Sequence, residues 1–208
     1  MGRQNQELTN ESSDARNSLI NAAVKLFAAH GYNATGVQQI TDMAGVNKAT
    51  LYYYFLSKEG IYNVLIEEGL RLLDRAVTAA EDTGSSIMDR LRLFLGAYLT
   101  VAFENQDLAK IVFREAFGEC ESARVMVAEN FKSRVRRVSA VIRQAQDNGE
   151  IRSEIDADFA AYMLFGIANM FITRLVVDQR QFDVEPLVEQ VFEIFIRGAG
   201  TLQAGKPE

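Results

Sequence analysis

Little in this chain can hold a metal, a disulfide or a nucleophile with its base. It has one cysteine, Cys120, and one histidine, His30. A single thiol excludes an internal disulfide, and one thiol with one imidazole argues against a structural zinc site. His30 falls at the end of a helical pattern, where a dipole-compatible surface group is the simplest reading. No Ser-His-Asp, Cys-His or carboxylate-metal constellation is in sight, so no catalytic residue, metal or cofactor is assigned. Prolines are scarce too. Only Pro186 and Pro207 occur, which leaves long stretches free to be helical. No basic-then-apolar signal opens the chain, and a cytoplasmic protein is expected. The uncharged and strongly apolar run 159–173 spans fifteen residues. That falls short of the ~20 that a bilayer crossing needs, so no membrane partner is expected. A basic excess is also missing: the net charge is −6.

What is present is concentrated in Thr35–Glu59, T-G-V-Q-Q-I-T-D-M-A-G-V-N-K-A-T-L-Y-Y-Y-F-L-S-K-E. Thr35 with Gln38 reads as a capping box opening a short helix. Val37, Ile40, Met43 and Ala44 form its apolar face. Gly45 stands where a helix end needs positive φ. Asn47 is a good N-cap for a second short helix, in which Leu51 and Phe55, four apart, turn inward together. Tyr52, Tyr53 and Tyr54 are spaced about 100° apart, so they cannot all be buried, and at least one phenol meets solvent or a partner. Ser57 caps a third helix. Lys58 at its first position works against the dipole and makes sense beside an anion. Two short helices crossing at a Gly-containing turn can place the second in a DNA major groove, with Lys48 toward base edges.

From L-I-N-A-A-V-K-L-F-A-A-H-G-Y through S-K-E, residues 19–65 resemble the DNA-binding domain of the TetR family of bacterial transcriptional regulators. The family pattern L-F-x-x-x-G-Y…T…I…A-G-V-x-x-x-T-L-Y-x-x-F-x-S-K-E is matched almost throughout. Thr41 stands where alanine is commoner. The resemblance implies that Lys48 and Ala49 meet bases. It also implies that Thr35, Asn47, Thr50, Tyr52, Tyr53, Tyr54 and Lys58 hold phosphates or lie in the groove. It further implies a two-fold dimer on an inverted-repeat operator, and a small-molecule effector that shifts the fourth helix and separates the two heads.

The charge agrees once divided. Residues 1–60 carry Arg3, Arg16, Lys25, Lys48 and Lys58 against Glu7, Glu11, Asp14, Asp42 and Glu59. The head is neutral and the acidity lies beyond it, so the salt dependence of DNA binding should be shallower than that of a strongly basic reader.

The expected fold is all-α, about nine helices. Residues 1–13 read as a disordered tail (or, by a thinner reading, a minor-groove arm using Arg3), 14–60 as the helix-turn-helix head, and 61–208 as a helical effector-binding and dimerisation body. Helix 1 should run over about 14–30, with Ile20, Ala23, Val24 and Phe27 inward and Gly31 ending it. Helix 4, about 58–83, has two apolar stripes and would link head to body. Further helices are expected near 86–104, 107–117, 121–148, 156–178 and 184–199.

Phe94, Tyr98, Phe113, Phe117, Phe131, Phe165 and Asn169 are the candidate pocket for an apolar or aromatic effector, though plain core uses the same residue types. The last two helices are apolar on more than one side, and one side can face a second subunit. Met163, Ile167, Met170, Phe171, Arg174, Val188, Phe192 and Phe195 are the candidate interface. The expected function is a sequence-specific transcriptional regulator, a repressor released by its ligand. The alternative is an all-helical enzyme using the C-terminal cavity. Net acidity argues against a non-specific architectural protein.

Overall fold

The computed structural model describes residues 2–81, 86–178 and 182–199. Among these the chain forms nine helices and no strand. They are α1 (Gly2–Ala34), α2 (Val37–Ala44), α3 (Lys48–Phe55), α4 (Lys58–Glu81), α5 (Ile87–Glu104), α6 (Gln106–Glu115), α7 (Glu121–Asp147), α8 (Ala157–Asp178) and α9 (Val184–Ala199). Every helix foreseen from periodicity is there.

The N-terminal boundary differs. α1 begins at Gly2, where a disordered tail was expected through residue 13. Residues 3–13 are polar but contain no glycine or proline, and extending an existing helix costs little per residue once it is nucleated. The regular run breaks at Gly31 (φ 81°, ψ 175°), as anticipated.

The chain packs as two compact units. One comprises residues 1–70 with 107–128, the other 71–106 with 129–208. This division by packing differs from a division at residue 60, because α6 and the first turns of α7 pack with the N-terminal helices. α4 and α7 each contribute to both units.

The first unit is built on a buried stripe of α1, Leu19, Ala22, Ala23, Leu26 and Phe27. The phase is one residue off the expected one. Ile20 and Val24 are only half-buried, because Leu19 and Leu26 take the inward positions. Ile40 of α2, Leu51 and Phe55 of α3, and Ile61, Tyr62, Leu65 and Ile66 of α4 close on this stripe. Burying a side chain of this size contributes ~1.5–3 kcal/mol, so these few residues carry most of the unit's hydrophobic stabilisation.

In the second unit α5 packs between α8 and α9. Leu91, Leu95 and Leu99 of α5, Leu164, Phe165 and Leu175 of α8, and Val188, Phe192 and Phe195 of α9 are all buried in its core. Asp156 starts α8 by accepting the Phe159 N–H (2.7 Å) on Oδ1. By length and composition α8 could cross a membrane. Its inner face is instead core, and Tyr98 reaches it to donate a hydrogen bond to Asn169 (3.0 Å).

Candidate nucleic-acid interface

α2 and α3 are held at a turn that the local sequence specifies. Gly45 ends α2 in the left-handed region (φ 69°, ψ 29°), and its N–H and that of Val46 close back on Asp42 and Thr41. Asn47 then caps α3. Its Oδ1 accepts from the Thr50 N–H (2.9 Å) and the Thr50 hydroxyl (3.0 Å), a cap worth ~1 kcal/mol. Leu51 and Phe55 face the core. Asn47, Lys48, Ala49, Tyr52 and Tyr53 are left exposed on the outer face of α3, with Tyr53 77% accessible. Tyr54 is half-buried and stands edge-on to Tyr53 at 4.9 Å between ring centres. The α3–α4 corner is tight. Leu56 adopts φ 64°, and a Cβ on Gly60 would lie 1.9 Å from the Phe55 carbonyl oxygen. Ser57 Oγ accepts from the Gly60 N–H (2.9 Å) and so caps α4.

Three expectations change here. Thr35 is 1% exposed and does not cap α2; its hydroxyl donates to the carbonyls of Gly31 (2.8 Å) and Leu26 (3.3 Å). Gly36 takes the cap position, and its N–H donates to Gln39 rather than Gln38 (2.7 Å). The helix therefore starts one residue later, which turns Met43 out to 52% exposure and buries Thr41, its hydroxyl returned to the Gln38 carbonyl. Lys58 is engaged within the fold: Nζ donates to the Tyr32 carbonyl (3.0 Å) and lies 4.2 Å from the centre of the Tyr32 ring. That contact explains a lysine at a helix start without invoking an outside anion.

A polar cluster that sequence reasoning missed joins these helices to residues 114–122. Arg114 donates to the Ala28 carbonyl (2.7 Å). Glu115, 2% exposed, accepts from the Tyr62 hydroxyl (2.8 Å) and the Cys120 N–H (3.1 Å). Asn33 pairs with Glu119, and Ser122 with Glu59 and Asn63. Burial lifts the Glu115 carboxyl above the ordinary carboxylate value, outweighing the hydrogen bonds that lower it. Burial also raises the Tyr62 phenol, with the bond to Glu115 adding to it. The available signal was faint: an acid on the apolar side of the α6 pattern.

Of the candidate pocket residues, Phe94, Tyr98, Phe131, Phe165 and Asn169 come together in the second unit. Phe165 is the hub, with ring centres of Phe94, Tyr98 and Phe131 at 5.1, 5.5 and 5.3 Å. Phe113 and Phe117 do not join them. Both belong to the first unit, and Phe117 is 90% exposed because α6 ends at Glu115 and leaves it in the turn. A buried cation the sequence did not disclose, Arg134, donates to Asp74 (3.4 Å) and Asn130. Burial lowers its pKa.

The candidate interface residues divide as well. Met163, Met170 and Arg174 of α8 are exposed, and Ile167 and Phe171 half-buried. Val188, Phe192 and Phe195 are core instead, and the Arg92 guanidinium covers the Phe192 ring at 4.6 Å. Reading α9 as two-sided left its phase open, and packing on α5 takes that side. The exposed apolar residues missed from sequence are Phe159, Tyr162 and Val177 of α8 and Ile194 of α9.

A family profile described as "Bacterial regulatory proteins, tetR family" matches residues 19–65. A second, "YsiA-like protein, C-terminal region", matches 67–198. The chain is 25% identical over 181 residues to the fatty acid metabolism regulator protein of Bacillus subtilis (strain 168), covering 86% of this chain and 93% of that one. It is similar in fold to the fatty acid degradation regulator FadR from Bacillus halodurans (TM-score 0.75, 23% identity, 88% and 95% covered). A comparable likeness holds for FadR from Bacillus subtilis solved with stearoyl-CoA (TM-score 0.73, 24% identity, 87% and 97% covered).

Proposed function

The chain belongs to the TetR family of bacterial regulatory proteins, and from that membership we propose how this DNA-binding transcriptional regulator works. It acts in the cytoplasm as a homodimer. It occupies an inverted-repeat operator to repress transcription, and a small apolar ligand releases it. The family and its named relatives are regulators and not enzymes, so the alternative of a helical enzyme is set aside.

The observation that carries the reading is the outer face of α3. Asn47, Lys48, Ala49, Tyr52 and Tyr53 are exposed together, on a helix fixed from behind by Leu51 and Phe55. Lysine in the first turn suits guanine O6 and N7, alanine a thymine methyl, and the tyrosine hydroxyls phosphate oxygens. Thr35 is withdrawn from this set, and Lys58 serves it by fixing Tyr32. For the effector, the aromatic cluster around Phe165 with Asn169 offers apolar contact and one orienting amide. A fatty-acyl ligand is supported by the relative solved with stearoyl-CoA. For the dimer, the exposed stripe Phe159, Met163, Met170 and Val177 recurs at helical spacing around Gly166. A contiguous apolar face of this kind marks an association surface.

The test is selection of bound duplexes from a random DNA pool at near-physiological salt. One inverted-repeat sequence is expected, and Lys48→Ala should lose that preference. Failure to enrich any sequence, with or without fatty-acyl ligands, overturns the reading.

A further inference from the structure

Three consecutive rings run from the core of the head to its outer face. Phe55 is 5% exposed, and the Arg16 guanidinium of α1 lies 5.5 Å from its ring centre. Tyr54 is half-buried and leans on Phe55, with ring centres 6.2 Å apart and planes at 56°. Tyr53 stands edge-on to Tyr54, at 4.9 Å and 78°, and is itself 77% accessible. Neighbours on a helix point about 100° apart and do not ordinarily face each other. The contact between Tyr53 and Tyr54 therefore needs a particular pair of rotamers. At its exposure Tyr53 has little packing to select a rotamer, and the ring beside it supplies the selection. A side chain that is ordered only on binding loses affinity by that ordering, whereas one held beforehand does not. An edge-on aromatic pair is strong enough to hold it, at a strength equivalent to about two- to tenfold.

We propose that Tyr54 is a positioning residue for operator binding: its ring fixes the direction of Tyr53, which carries its phenol hydroxyl to a phosphate oxygen. Burial divides the two tasks. The Tyr53 ring lies in solvent, while the Tyr54 ring is engaged by Tyr53 and by the buried Phe55. Tyr54 then acts through its ring and not through its hydroxyl. Phenylalanine serves in its place, and an aliphatic residue does not. At Tyr53 the hydroxyl is the working group, because it donates to the phosphate. Neighbouring tyrosines of one helix thus have different requirements, which a run of identical letters does not disclose. The inference rests on the reading of α3 as the DNA-reading helix.

The probe is the duplex enriched from the random pool, titrated with the full chain and followed by fluorescence anisotropy, with the melting temperature of each variant as a control on folding. Tyr53→Phe should weaken binding by about tenfold or more, the loss of a hydrogen bond to a charged group. Tyr54→Phe should leave affinity within about twofold of the parent. Tyr54→Leu should weaken it by about two- to tenfold per head, and Tyr54→Gln serves if that variant does not fold. In a Tyr53→Ala background Tyr54→Leu should have no further effect, because nothing is left to position. The positioning role is overturned, and the α3 reading stands, if Tyr54→Phe weakens binding as much as Tyr54→Leu does. The same holds if Tyr54→Leu acts equally in both backgrounds, as a merely structural residue would, or is silent while Tyr53→Phe is not. Silence of Tyr53→Phe and Lys48→Ala together, or a pool that yields no duplex, overturns both.

Discussion

Single residues at the corner of the head carry costs that can be measured. Leu56 is the one described non-glycine residue at positive φ, and its side chain is 83% exposed, so packing offers little return for the strain. Such a conformation costs ~1–3 kcal/mol. Leu56→Gly should therefore raise stability by ~1 kcal/mol after glycine's entropic penalty, or about 2–4 °C in melting temperature. An unchanged or lower melting temperature would show that the Leu56 side chain has a role this structure does not display. Glu115 makes a second case. Its pKa is raised by burial, so the folded protein holds the proton more tightly than the unfolded one. Its contribution to folding is present at low pH and is lost as pH rises from the ordinary carboxylate value through the raised one. Glu115→Gln lacks this loss. Melting curves across that window should show the variant gaining on the parent as pH increases, whereas a constant gap would mean that Glu115 keeps its ordinary pKa.

At the scale of elements, what was legible in sequence was whatever local chemistry decides. Asn47, Gly45 and Ser57 punctuate α2, α3 and α4 as read, because caps and left-handed turns are settled within four residues. What tertiary packing decides was less legible. The Thr35 box lost to Gly36, since the Thr35 hydroxyl found backbone carbonyls of α1 to bond. α9 has two apolar stripes, and nothing within sixteen residues says which one α5 will cover. The aromatic cluster was visible as a composition, but Phe117 departs from it because α6 stops two residues earlier. α8 allows a direct test of the association face. Met170→Glu puts a charge at the middle of the exposed stripe, where desolvating it against a second copy is costly. Dimerisation should weaken by at least about thirtyfold in sedimentation equilibrium, the factor of a ~2 kcal/mol interface centre. An unaffected dimer would place the interface elsewhere.

For the whole molecule, charge placement sets the response to salt. Lys58 is occupied by Tyr32, so at most four of the five cations in residues 1–60 remain for phosphates, or eight across two heads. The logarithmic salt slope of operator binding should then be no steeper than about −7. A steeper slope would require cations from beyond the head. The packing of residues 107–128 with residues 1–70 bears on how the protein is made. The DNA-reading helices are synthesised first, yet Tyr62 lacks its Glu115 partner until α6 has followed. The 58 residues from 71 to 128 take about 3–12 s at ordinary rates of translation. During that interval the contacts that residues 107–128 make with the head are still missing. The N-terminal third of the chain therefore completes its packing only after residues that follow it in synthesis.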